Sequence, residues 1–137
     1  CSIQKSIIIS GVIWGRWHGP VIAMGHNYGT GYIGAPWLGI FAMIVFCIVV
    51  GSYLSYLVIK TKSVIPCAIA HSAINAFASI GVCLYKGTAN PFIGPSPIGI
   101  IGGSIFIIVG IYCYIKAGKI NKPFEEELVV YKKGEIK

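Results

Sequence analysis

Residues 33–59 read IGAPWLGIFAMIVFCIVVGSYLSYLVI, a run without a single Asp, Glu, Lys or Arg. About 20 helical residues cross the hydrocarbon core of a bilayer, so an uncharged apolar run of this length reads as a transmembrane helix. It has residues to spare, which implies either a tilted span or an interfacial turn around Gly34, Ala35 and Pro36.

Outward from this run the pattern repeats. Val64 to Tyr85 is also free of charge, Ile98 to Ile115 is shorter but equally apolar, and Ile7 to Met24 is interrupted only by Arg16 and His18. Hydrophobic residues make up 55% of the chain and charged ones 11%, with a mean hydropathy of +0.78. Soluble domains carry about a quarter charged residues, so lipid is the expected solvent. The expectation is an all-α, polytopic transmembrane helix bundle of about four spans, near 6–24, 33–59, 64–85 and 98–115. Residues 1–116 then form one domain. Residues 117–137, where Lys mixes with Glu125, Glu126, Glu127 and Glu135, form a solvated tail.

The formal charge of +7 does not imply nucleic acid, because the basic residues stand singly at helix ends rather than in a patch. They read as topology signals. Lys5, Lys60, Lys62, Lys116, Lys119 and Lys122 fall on one side of a four-span arrangement and Lys86 on the other, which puts the N-terminal side and the C-terminus in the cytoplasm. Trp37 and Tyr85 fit the outer interface. Ser63 is placed to cap the third span, with Pro66 in its first turn, where a missing N–H costs nothing. Cys47, Cys67, Cys83 and Cys113 lie inside apolar runs with no CxxC spacing and read as small buried hydrophobes. The start at Cys1, with no charged leader before it, reads as a fragment rather than a signal peptide.

Two stretches carry chemistry. In the first, Gly11-Val-Ile-Trp-Gly-Arg-Trp-His-Gly-Pro20, the glycines at 11, 15 and 19 share a helix face and suit close helix packing, while Trp14 and His18, also four apart, share another. In the second, Ala70-His-Ser-Ala-Ile-Asn-Ala76, His71 and Asn75 form a polar stripe that Cys67 and Ser79 extend. Hydrogen-bonding glue between helices explains either stretch alone. Two helices that each turn an imidazole inward are better explained by a site, since ionisable groups at membrane depth are costly.

The two motifs resemble those of the CPBP intramembrane endopeptidases, the CAAX protease and bacteriocin-processing (Abi) family. Trp14 to His18 is similar to that family's aromatic-x-x-x-His motif and His71 to Asn75 to its His-x-x-x-Asn motif. Gly25-His-Asn-Tyr-Gly29, Gly34-Ala-Pro-Trp-Leu-Gly39 and Lys62-Ser-Val-Ile-Pro66 are similar to segments of bacterial and archaeal members, and the resemblance covers about residues 7–85. The family's first motif, Glu-Glu-x-x-x-Arg, has no counterpart: no acidic residue precedes Glu125.

The resemblance implies a prokaryotic, multi-pass membrane protease in which a glutamate of that first motif activates a water. His18, His71 and Asn75 would orient the water and stabilise the oxyanion. Trp14 and Arg16 lie near the site, in substrate contact or packing, and His26 falls in a loop outside it. A full-length parent would hydrolyse membrane-associated peptides, and this stretch alone would be inactive. No metal or other cofactor is expected, because HExxH spacing is absent, Asn is a poor zinc ligand and the family works through glutamate. The expected partners are the lipid bilayer and a membrane-associated peptide, with no nucleic acid. The alternatives are a non-catalytic immunity or scaffold protein and, with no internal repeat to favour it, a small transporter.

Overall fold

A computed structural model of the chain describes residues 2–78, 80 and 90–132, the last twelve of these by backbone alone. Its helices are α1 (Ile3–Trp17), α2 (Gly19–Ala23), α3 (Trp37–Thr61), α4 (Ile65–Phe77) and α5 (Ser104–Lys132), and no strand occurs among the described residues. The all-helical expectation holds. Ser79, Cys83, Tyr85, Lys86 and Glu135, to which the sequence reading gave roles, lie outside the described residues.

The elements follow from local chemistry. Ser2, in extended conformation, caps α1 by accepting from the Lys5 amide at 3.3 Å. The α1 helix runs to Trp17 and stops before Gly19-Pro20, so the expected 6–24 segment is two helices and not one. Ala35 and Pro36 sit in a turn, and α3 begins after them at Trp37, which is exposed. Lys62 ends α3 in the left-handed conformation at φ 55°. Pro66 falls in the first turn of α4 as expected, but the N-cap is Val64 and not Ser63; the Ser63 hydroxyl, one residue earlier, accepts from the Ile65 amide at 3.2 Å. At the other end α5 continues through residues 117–132, beyond the apolar stretch that predicts it.

The central element is α3. On one face it receives α1 antiparallel, with Ile48, Ile44 and Ile40 opposite Gly11, Gly15 and Gly19. A Cβ at Gly11 would lie 2.8 Å from the Cα of Ile48, and one at Gly15 would collide with the backbone of Ile44, so the helices touch main chain to main chain. Gly19, with Ile40 side-chain atoms at 3.6 Å, has ordinary room. Another face receives α5, where Gly110 meets the Val49 carbonyl. The buried core gathers Ile22, Tyr28, Met43 and Cys47, with Trp14, Tyr32 and Phe92 packed around it. An apolar cavity of about 250 Å³, lined by Phe41, Phe46, Phe92, Ile98 and Phe106 among others, opens on a different face of α3 from the one that seats α1.

Large apolar side chains cover the outside as well: Ile13, Trp17, Phe41, Ile69, Ile105 and Ile108 are all exposed. A soluble monomer rarely shows so much, whereas helices solvated by lipid do. Among the described residues α3 is the helix both long and apolar enough to cross a bilayer. With 15 and 13 residues, α1 and α4 fall short of the about 20 that a perpendicular span takes. The structure therefore supports one span directly, where the sequence predicts four.

Candidate active site

The site grows from the break between α1 and α2. In an uninterrupted helix the Pro20 nitrogen would donate to the Arg16 carbonyl, but proline has no N–H and its ring crowds that oxygen. The chain tightens just before it. The His18 amide bonds the Gly15 carbonyl at 3.3 Å, three residues back, rather than that of Trp14. The Trp14 carbonyl is left to the His18 ring, whose Nδ1 lies 2.9 Å from it. The half-buried imidazole is also held edge-on by Trp17, with centroids 5.2 Å apart and planes at 88°.

Trp14 links the helices. Its indole lies 6.1 Å from the His18 ring and 5.2 Å, edge-to-face at 79°, from the ring of His71 on α4. These two separations added together bound the distance between the imidazoles from above, so two of the residues singled out by spacing share one aromatic neighbour. They meet at the indole. Trp14 is itself only half-buried and packs against the Tyr28–Met43–Cys47 cluster, so the core fixes one of its sides and the histidines occupy another.

The remaining candidates stand apart. On α4 the half-buried positions are Pro66, Cys67, Ala70, His71 and Ile74, whereas Asn75 is exposed. Asn75 lies one turn beyond His71 on the same helix, nearer the edge of the face that α4 turns inward. Arg16 is exposed in the last turn of α1, where a cation suits the helix dipole, and His26 is exposed in the loop after α2. Among the described residues, no group of three His, Cys, Asp or Glu side chains is close enough to hold a metal ion.

Sequence reasoning missed the helix break and the bond it releases. The signal was present in Gly19-Pro20, immediately after the histidine. It also missed the aromatic cluster beside the site, in which Tyr28 stacks on Phe92 at 5.2 Å and Tyr32 meets Phe92 edge-on at the same distance. That cluster joins positions too far apart in the chain for any spacing rule to connect.

An all-helical chain with an apolar span and outward-facing aliphatic side chains belongs to the class of helical membrane proteins. The profile of the Rce1-like family, described as type II CAAX prenyl endopeptidase Rce1-like, matches residues 2–77, more than half of the chain, and the chain belongs to that family. The match spans α1 to α4 and thus takes in Trp14, His18, His71 and Asn75. It is a protease family, which makes peptide-bond hydrolysis the general activity to be explained. No curated protein and no solved structure matches the chain.

Proposed function

We propose that this chain forms part of an intramembrane endopeptidase that hydrolyses peptide bonds of membrane-associated substrates in the manner of a CAAX prenyl protease. The observation that carries the reading is the pair of imidazoles, His18 and His71, gathered on the Trp14 indole within the stretch that matches the family. Residues 1–116 supply the protease domain of a multi-pass, four-span arrangement in the cell membrane, and 117–137 a cytoplasmic tail.

Amide hydrolysis needs an activated water and a way to stabilise the oxyanion that forms when it attacks. In this reading His18, His71 and Asn75 position the water and the oxyanion, and Trp14 and Arg16 flank the substrate. The general base is a glutamate contributed from outside this stretch, since no acidic residue precedes Glu125. An imidazole can hold and orient a water by hydrogen bonding. Asn75 is exposed on α4, one turn beyond His71, so its share is smaller than that of the histidines.

The test is an assay on one membrane peptide substrate of the gene's full reading frame, its His18→Ala, His71→Ala and Asn75→Ala variants, and this chain alone, all inserted to equal levels. The expected result is a loss of kcat of about 10²-fold or more for each histidine, the scale seen when one contact to the oxyanion or to the reacting water is removed. Asn75→Ala should lose less and the isolated chain should be inactive. Full activity without both histidines would overturn the protease reading, and an inactive full reading frame would favour a non-catalytic immunity or scaffold protein instead.

A further inference from the structure

The bond between His18 and Trp14 carries more than position. A carbonyl oxygen only accepts, so the ring nitrogen 2.9 Å from the Trp14 oxygen carries the hydrogen. A neutral imidazole has one N–H, and with that hydrogen on Nδ1 the lone pair lies on Nε2. Which nitrogen of a histidine is protonated is set by the bond the other makes. Here that bond exists because the backbone leaves the carbonyl free: the His18 amide turns to Gly15, and helical bonding resumes only at α2, where the Ile22 amide donates to the His18 carbonyl at 3.0 Å.

We infer that Pro20 is a positioning residue that acts through the Trp14 carbonyl: by breaking the helix it holds neutral His18 as the Nδ1–H tautomer and presents Nε2 as a hydrogen-bond acceptor. For the site this is a division of labour. A water facing Nε2 donates its O–H to His18 and keeps its own lone pair directed elsewhere. Neutral His18 has no second N–H, so it cannot donate to an oxyanion, and any such donor must come from another group. The kinetic consequence rests on the proteolytic reading above, whereas the tautomer does not.

Nitrogen-15 NMR on histidine-labelled chain in lipid nanodiscs decides it. The measurement is made at about pH 9, above the ordinary imidazole range, with His26→Gln and His71→Gln to assign the His18 signals. The wild-type chain should show His18 Nδ1 as pyrrole-type and Nε2 as pyridine-type nitrogen. Pro20→Ala restores a backbone donor and lets the helix run on, so the His18 amide takes the Trp14 carbonyl and the Nε2–H form becomes the major one. Pro20→Gly restores the same donor without a side chain and should shift the balance in the same direction. A proton on Nε2 in the wild-type chain would overturn the inference, as would spectra unchanged in both Pro20 variants. In the full reading frame, Pro20→Ala should lower kcat by about 10-fold or more, a fraction of the usual acid–base contribution, with KM unaltered. The expected spectra without proteolysis in any form would refute the protease reading and leave the tautomer assignment standing.

Discussion

The phenol of Tyr28, in the loop between α2 and α3, is 5% exposed and its oxygen has no hydrogen-bond partner among the described residues. Its neighbour Tyr32 is better placed, donating to the Pro36 carbonyl at 3.3 Å. An orphaned buried hydroxyl costs about 1–3 kcal/mol, so Tyr28→Phe should leave the chain unchanged or raise its stability by about 1 kcal/mol in reversible unfolding from mixed micelles. A loss of stability would reveal a partner for the hydroxyl. Burial first, then the neighbouring Cys47 and Tyr32, pushes the Tyr28 pKa above its usual value. Folding thus favours the neutral phenol. Stability from this group is complete below about pH 10, the ordinary tyrosine value, and is lost as pH rises from there toward the higher folded value. The stability difference between wild type and Tyr28→Phe should therefore be flat up to about pH 9 and widen to the disadvantage of the wild type above about pH 10.

At the scale of elements, the seam between α1 and α3 sets the position of everything else. Gly15→Ala puts a methyl group against the Ile44 main chain, which cannot yield as a side chain would, and should cost about 1–3 kcal/mol, the usual range for overpacking. Gly51→Ala on α3 is the control. Nothing lies within 4 Å of a Cβ there, so the gain in helix propensity should make it neutral or stabilising by up to about 1 kcal/mol. Equal effects in the same unfolding measurement would show that the seam is looser than described. The glycine spacing made this seam legible in the sequence at Gly11 and Gly15. At Gly19, buried opposite Ile40, the seam continues with a looser contact, since α1 ends at Trp17. Pro66 marked the first turn of α4 correctly, since a missing amide is a local matter, whereas the N-cap falls on Val64, one residue after Ser63. The approach of His71 to Trp14 was legible only as an expectation that two histidines share a site. The contact itself depends on how α4 lies against its neighbours, and the same placement leaves Asn75 exposed.

For the whole molecule, the clustering of Lys60 and Lys62 at one end of α3 and of Lys116, Lys119 and Lys122 toward the tail predicts that both places face the cytoplasm. Reporter fusions after Lys62 and after Lys122 should report the same side, and opposite sides would refute the arrangement. The seating of α1 on α3 gives that experiment a second meaning. Gly15 lies opposite Ile44, and with a rise of about 1.5 Å per residue this level is about 10 Å along α3 from Trp37 and about 25 Å from Thr61. Trp14, the residue on which the histidines gather, adjoins that level. The indole on which the histidines gather is thus nearer the end of α3 that follows residues 25–36 than the lysine-rich end. Measured along α3, the Trp37 end is thus the nearer one for a water molecule that reaches this level.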